Sequence, residues 1–264
     1  LMIRRSFFST LPIFIFINQV IAQSKMVPKK KTYVLVHGAW HGGWCWKFVK
    51  SKLISMGHLV YAPSLTGLGD RVHLSNKNIN LSTHAEDIIN LIRYESLDNI
   101  ILVGHSYAGH VISLVADRIP DKLLYLVYLD AVLPTNGKAF LPSAVGEERM
   151  KVAKKGYLME LPNIDTFLGV PKNHKNYEWL KAKLVPHPLP TLTEKVIYIG
   201  NGIERIPKMY VRCKNNPRIA NGKNDPVLDL IENDDTWSYV LIDTGHDLMI
   251  TAPDETARIL NQLG

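Results

Sequence analysis

Asn99-Ile100-Ile101-Leu102-Val103-Gly104-His105-Ser106-Tyr107-Ala108-Gly109 joins a short apolar run to an amphipathic stretch that continues to Arg118. The run Asn99–Val103 predicts a buried strand and Tyr107–Arg118 a helix. A serine at such a strand-to-helix turn, with small residues two before and two after it, predicts a nucleophile elbow. Gly104 and Ala108 are those small residues, although the strict pattern asks for glycine at 108 as well. The tight turn lifts the hydroxyl of Ser106 above the sheet edge, and the helix behind it offers a positive dipole end and N–H groups. The plain alternative is a serine that caps the helix.

Outward from the elbow, strands and helices alternate. Tyr33–Val36 is an apolar run followed by the glycine-rich His37-Gly38-Ala39-Trp40-His41-Gly42-Gly43. Trp44 to Met56 reads as a helix stopped by Gly57, and His58–Tyr61 as a second strand. Ser82 or Thr83 is the expected cap of a helix running to about Tyr94. Leu123–Leu129 reads as the strand after the elbow helix. From about Pro134 to Arg205 the alternation stops: charged helical pieces near 147–156 and 176–184 lie among prolines, with no clear strand. It resumes with Lys208–Arg212, Ser238–Ile242 and a last helix expected to be capped by Thr251, with Pro253 in its first turn. This order predicts an α/β fold: a mostly parallel sheet with helices on both faces. The insertion at about 134–205 has the size of a lid or binding element.

A serine hydroxyl needs a base within hydrogen-bond reach. Among ten histidines, His246 in Asp243-Thr244-Gly245-His246-Asp247 stands just past the last strand, at the sheet edge expected for Ser106. His37 and His41 are four apart, but the glycines around them argue for a loop rather than a metal-binding helix, so no metal is expected. His105 and His110 are expected to point away from the base and to serve packing or pocket lining. An oxyanion needs two preplaced donors. The N–H of Tyr107, after the nucleophile, and that of Ala39, in the first strand–helix loop beside Gly38, are the expected pair.

The chain has 264 residues and a formal charge of +7, which invites a nucleic-acid reading. Residues 1–31 hold Arg4, Arg5, Lys25, Lys29, Lys30 and Lys31 and no acid, so this segment is +6 and the remainder is 25 − 24 = +1. A nearly neutral remainder argues against a basic, nucleic-acid-binding domain. Arg4 and Arg5, an apolar run from Phe7 to Ile17 and the small-residue site Val20-Ile21-Ala22 follow the order of a secretory signal, residues 1–22, with a basic leader at 23–31. The run is too short to span a bilayer comfortably. Periplasmic or secreted localisation follows, unless translation starts at Met26, which would leave the protein cytoplasmic. Cys45 and Cys213 are too few for a disulfide scaffold or a four-ligand zinc site.

Taken together, Val34-Leu35-Val36-His37-Gly38-Ala39-Trp40-His41-Gly42-Gly43-Trp44, Val103-Gly104-His105-Ser106, Tyr128-Leu129-Asp130-Ala131, Tyr210-Val211-Arg212-Cys213 and Gly245-His246-Asp247 resemble the α/β-hydrolase superfamily. The nearer resemblance is to its methylesterase and hydroxynitrile lyase branch, in particular to bacterial esterase-like members, and it spans about 32–263. It implies the α/β-hydrolase fold, with a helical lid inserted before the penultimate strand. In the plant members the triad acid follows the strand that here ends at Cys213, yet this chain reads Lys214-Asn215-Asn216 there. An amide does not stabilise an imidazolium as a carboxylate does. Some α/β-hydrolases place the acid after the preceding strand, which makes Asp130 the expected acid and Asp225 the alternative. A structural carboxylate satisfying loop N–H groups is the other reading of Asp130.

The lyases of this branch carry a threonine after the first-strand histidine and a lysine after the catalytic histidine. Gly38 and Asp247 stand at those positions, and an aspartate opposes a departing cyanide. The resemblance therefore implies a serine esterase that cleaves small carboxylic esters through Ser106, His246 and Asp130 without a cofactor. Cyanohydrin cleavage, and a non-catalytic small-molecule receptor on the same fold, are the alternatives, the latter because of Asn216. The partner expected is a small-molecule ester in an apolar pocket with Gly38, Trp40 and His187 among its lining. Trp44 and Tyr107 are possible further walls, Leu158–Leu168 is the expected closing segment, and a homodimer is left open.

Overall fold

The computed structural model describes residues 30–216, 226–231 and 234–263. The expected signal at 1–22, most of the leader and the alternative acid Asp225 lie outside the described residues. β1 (Thr32–Val36), β2 (Leu59–Tyr61), β3 (Ile100–His105), β4 (Leu123–Leu129), β7 (Lys208–Cys213) and β8 (Trp237–Ile242) form a six-stranded sheet in the order β2-β1-β3-β4-β7-β8. Every neighbouring pair is parallel, so all six carboxyl ends meet one edge. β5 (Leu158–Met159) and β6 (His187–Pro188) make a separate antiparallel pair in the lid.

β1, β3 and β4 read as near-continuous apolar runs because both faces of the sheet are covered there. Successive side chains go to opposite sides. Val34, Val36, Ile100, Leu102, Leu126 and Tyr128 enter one core, with α2 (Leu81–Tyr94), α3 (Ala108–Arg118) and the lid. Tyr33, Leu35, Ile101, Val103, Val127 and Leu129 enter the other, with α1 (Lys47–Ser55) and α10 (Pro253–Asn261). α9 (Leu248–Thr251) packs into this second core just past β8.

Two capping expectations are corrected. The cap of α2 is Asn80, whose side chain accepts from Thr83 N–H at 2.9 Å; Thr83 reciprocates as the third helical residue of a capping box. Ser82 instead donates its N–H and hydroxyl to Glu194 of the lid, both at 2.8 Å, a carboxylate suited to the positive helix end. Thr251 ends α9 rather than capping α10; its hydroxyl reaches the carbonyl of Asp247 at 3.1 Å, and Ala252 precedes Pro253.

The lid contains α4 (Ser143–Lys151), α5 (Ile164–Phe167), α6 (Tyr177–Lys181) and α7 (Pro190–Thr193). Its strand pair corrects the expectation of none: two-residue strands are too short to show a period of two. α8 (Pro226–Ile231) follows β7. No described helix is long and apolar enough to cross a membrane.

Candidate active site

The parallel sheet delivers the ends of β1, β3, β4 and β8 to one edge, and each end carries a residue of the site. Ser106 follows β3 with φ of +54°, a left-handed conformation that is strained for a side chain larger than glycine. Its N–H donates to Leu129 O at 3.2 Å, and its carbonyl accepts from Val132 N–H at 3.1 Å. The elbow is thus anchored to the end of β4. A Cβ on Gly104 would stand 2.9 Å from Ile112 Cδ1 and 3.0 Å from Ala108 O, so the small residue before the serine is sterically required. On Gly38 a Cβ would stand 3.0 Å from Ser106 Cβ and 2.9 Å from His105 Nδ1. The first loop and the elbow therefore meet at van der Waals contact.

Asp130 follows β4 in the left-handed region, φ +46°, which aspartate tolerates better than most residues. Its N–H donates to Val211 O at 2.7 Å. Oδ2 accepts from His246 Nδ1–H and from Asn216 Nδ2, both at 2.6 Å. Oδ1 accepts from Arg212 Nη1 at 3.1 Å and from Cys213 N–H at 3.2 Å. Burial pushes this carboxyl up, but the hydrogen bond and charge of His246, with Arg212 and Cys213 N–H, outweigh it and hold Asp130 below the usual carboxylate range. Nδ1–H of His246 is committed to Asp130, so Nε2 is the acceptor nitrogen of that tautomer. Asn216, where the resemblance implies an acid, instead donates to Asp130, the carboxylate that follows the neighbouring strand.

The loop after β1 is held by three histidines. His37 Nδ1–H donates to Gly38 O at 2.8 Å, while its Nε2 accepts from Leu65 N–H at 3.0 Å. His41 Nδ1–H donates to Ala39 O at 2.7 Å, and His41 Nε2 faces Asp247 Oδ2 at 3.0 Å. His187 Nδ1 accepts from Trp40 N–H at 3.3 Å. Its Nε2–H donates to Thr191 Oγ1 at 2.7 Å, because the Thr191 hydroxyl itself donates to Pro188 O. Trp40 is left-handed, φ +65°; its carbonyl accepts from Val185 N–H at 3.0 Å and its indole N–H donates to Glu160 O at 2.9 Å.

His105 corrects an expectation. It does not point away from the base: its ring lies 4.6 Å from that of His246, and its Nε2–H donates to His246 O at 3.0 Å. His105 shares the parity of Ile101 and Val103 in β3 and so faces the second core, beside Trp46, where the loop after β8 arrives. His110 packs against Phe140, ring centroids 5.6 Å apart. Tyr107, whose N–H is the expected second oxyanion donor, buries its side chain and donates its hydroxyl to His84 Nδ1 at 3.0 Å. Desolvation lowers His37 and His105 to about 3 and His84 and His110 to about 4, so all four are neutral near pH 7.

A lid cavity of about 630 Å³ is lined by Trp40, Phe140, Leu158, Met159, Phe167 and Leu192 among others. Of the expected pocket residues Gly38, Trp40 and His187, only Trp40 lines it. His187 is fully buried behind Trp40, against the Tyr107 ring at 5.0 Å. Trp44 lines a different, lysine-rich hollow with Lys47, Lys50 and Lys183. The expected closing segment does line the cavity, from Leu158 to Phe167. Sequence reasoning missed Arg212 and the pairing of His41 with Asp247. An arginine inside an otherwise apolar strand was the available signal, because a charge there is retained only with a partner.

Residues 33–259 match the sequence profile of the alpha/beta hydrolase family. The chain is 37% identical over 249 residues to a carbendazim hydrolyzing esterase of Nocardioides sp. (strain SG-4G), covering 88% of this chain and 99% of that protein. It is 29% identical to methylesterase 9 of Arabidopsis thaliana, covering 83% of this chain and 95% of the relative. Among solved structures it is similar to an extracellular alpha/beta-hydrolase from a Paenibacillus species, which is described as sharing structural and functional homology with tobacco salicylic acid binding protein 2. That likeness has a TM-score of 0.75 and 25% identity, over 89% of this chain and 99% of the other.

Proposed function

The chain belongs to the α/β-hydrolase family, and on that premise we propose that it hydrolyses small carboxylic esters through an acyl-enzyme on Ser106. The observation that carries this reading is the 2.6 Å contact of Asp130 Oδ2 with His246 Nδ1, made by a carboxylate that Arg212, Cys213 and Asn216 hold in place. Such a carboxylate fixes the tautomer whose Nε2 accepts the serine proton, and it stabilises the imidazolium that results. Ser106 attacks the ester carbonyl, and the N–H groups of Ala39 and Tyr107 take the developing oxyanion. His246 then protonates the leaving alcohol, and water repeats the sequence on the acyl-enzyme.

The lid cavity beside Trp40 suits an apolar acyl or alkoxy group. Carbendazim and methyl esters enter the substrate panel because the relatives are named for them. The receptor alternative rested on Asn216, which instead donates to Asp130. The lyase alternative needs a cation after the catalytic histidine, where this chain has buried Asp247.

The test compares full-length wild type with Ser106→Ala on p-nitrophenyl acetate, short methyl esters, carbendazim and mandelonitrile. Expected is hydrolysis of esters that falls at least about 10³-fold in Ser106→Ala, with negligible cyanide release. Ester turnover that survives Ser106→Ala refutes the mechanism, and cyanide release above ester turnover reverses the choice of chemistry.

A further inference from the structure

Asp247 directly follows His246 and is fully buried. Against the upward push of burial, His41 and then the nearby charges of His105 and His246 hold the Asp247 carboxyl below the usual range. Its Oδ2 meets His41 Nε2 at 3.0 Å. Its Oδ1 has no hydrogen-bond donor among the described residues and lies 3.9 Å from His105 Nε2. His41 faces acceptors on both ring nitrogens, the carbonyl of Ala39 at 2.7 Å and this carboxylate. A neutral imidazole has one N–H, so satisfying both acceptors requires the imidazolium. Every other buried histidine whose two ring contacts are described has one donor and one acceptor partner, as His37, His84 and His187 do.

The two loops thus joined do not come from adjacent strands. β1 and β8 are separated in the sheet by β3, β4 and β7, so no shared ladder fixes one loop against the other. The chemistry needs them fixed: one carries the Ala39 donor and the other carries the base. We propose that His41 and Asp247 are positioning residues, a second buried histidine–carboxylate pair that sets the Ala39 oxyanion donor against His246 across the sheet edge.

This inference rests on the ester-hydrolase reading above. The pair holds the peptide between Ala39 and Trp40, while His37 holds the peptide that carries the Ala39 N–H. Losing the tie therefore loosens the donor without removing it. Burial pushes His41 down, but the charge and hydrogen bond of Asp247 outweigh it and raise it above the ordinary histidine value, in contrast to its buried neighbours.

The test uses the full chain with His41→Gln, Asp247→Asn and the double variant, a methyl ester as substrate and a trifluoromethyl ketone as the oxyanion-forming probe. Each single variant is expected to lower kcat about 10- to 100-fold with KM within about twofold. The ketone inhibition constant is expected to rise by the same factor as kcat/KM falls. The double variant is expected to be no slower than the worse single one, because residues acting as a pair are non-additive. Should Asp247→Asn not fold, His41→Gln, which keeps a donor towards Asp247, carries the kinetic comparison alone. Unchanged ketone affinity, a loss borne by KM, or additive losses each overturn the positioning role. The reading on which it rests fails separately, through Ser106→Ala retaining activity.

Discussion

Replacing Asp130 by asparagine puts two incompatible demands on one amide. Asp130 presents only acceptors: Oδ2 takes His246 and Asn216 at 2.6 Å each, and Oδ1 takes Arg212 at 3.1 Å and Cys213 N–H at 3.2 Å. If the new amide nitrogen faces His246, the imidazole must turn Nδ1 into an acceptor, and Nε2 then carries the proton and cannot take another from Ser106. Asn216 Nδ2 would also face a donor. That orientation predicts a fall in kcat of about 10⁴-fold, about 5.5 kcal/mol in barrier, with the fold intact. If the nitrogen faces the other way, it meets the Arg212 guanidinium and Cys213 N–H in a buried site. Taking the carboxylate away from that buried cation lowers stability, by at most about 3 to 5 kcal/mol. Either way an observable moves: steady-state hydrolysis of p-nitrophenyl acetate reports the first outcome, and the urea midpoint reports the second. Asp225→Asn is the control, expected within a few-fold of wild type in both. Asp130→Asn with more than about a tenth of wild-type kcat and an unchanged urea midpoint would refute the assignment, most directly if Asp225→Asn were the slow variant.

His37, His84, His105 and His110 are held near 3 to 4, well below the ordinary histidine value of 6.5, by desolvation. A depressed folded value means that the unfolded chain binds the extra proton, so this contribution is complete above about 6.5 and is lost as pH falls towards 4. Each group forfeits about 1.4 kcal/mol by pH 5.5, up to about 6 kcal/mol for the four. His41, shifted upward by Asp247, offsets part of this, since its contribution is present below 6.5 and fades at higher pH. Urea melts at pH 7.5 and 5.5 check the sum, and equal midpoints would contradict it. Gly38→Ala, whose new Cβ would press on Ser106 Cβ at 3.0 Å, is expected to lower kcat about 10- to 100-fold with little change in melting temperature. Trp40→Phe removes the indole donor to Glu160 O and part of the cavity wall; KM is expected to rise several-fold while stability falls by about 1 kcal/mol. For export, the protein recovered from the medium or periplasm of an expressing host is expected to begin at Gln23 by N-terminal sequencing, whereas cytosolic protein starting at Met26 would favour the internal start.

What could be read from the sequence was whatever repeats with a period or sits at a turn. Apolar runs of four to seven residues announced the sheet strands, and Gly104 and Ala108 announced the elbow, because both depend on neighbours in the chain. Short lid strands left no period to detect. Caps were misplaced by one to three residues; at α2 this is because Ser82, Thr83 and Asn80 are all competent acceptors, and the lid residue Glu194 engages Ser82 instead. The partners of Asp130 lie 82 to 116 residues away, and no local pattern announces Arg212 or Asn216 as its ligands. The same holds for His41 and Asp247, 206 residues apart. Read locally, His41 was a loop histidine and Asp247 only the wrong charge for cyanide.

Trp40 is tied to the lid through its N–H, its carbonyl and its indole, by way of His187, Val185 and Glu160. It is also the residue next to the Ala39 donor. In engineering terms, the 134–205 insertion is not a detachable module. An exchange that grafts a relative's insertion between Pro134 and Arg205 to change substrate range would join cleanly at both ends of the sequence and still fail at Trp40. The seam that governs turnover lies about a hundred residues upstream of the graft, so a successful chimera has to carry positions 185, 187 and 160 together with the native loop after β1.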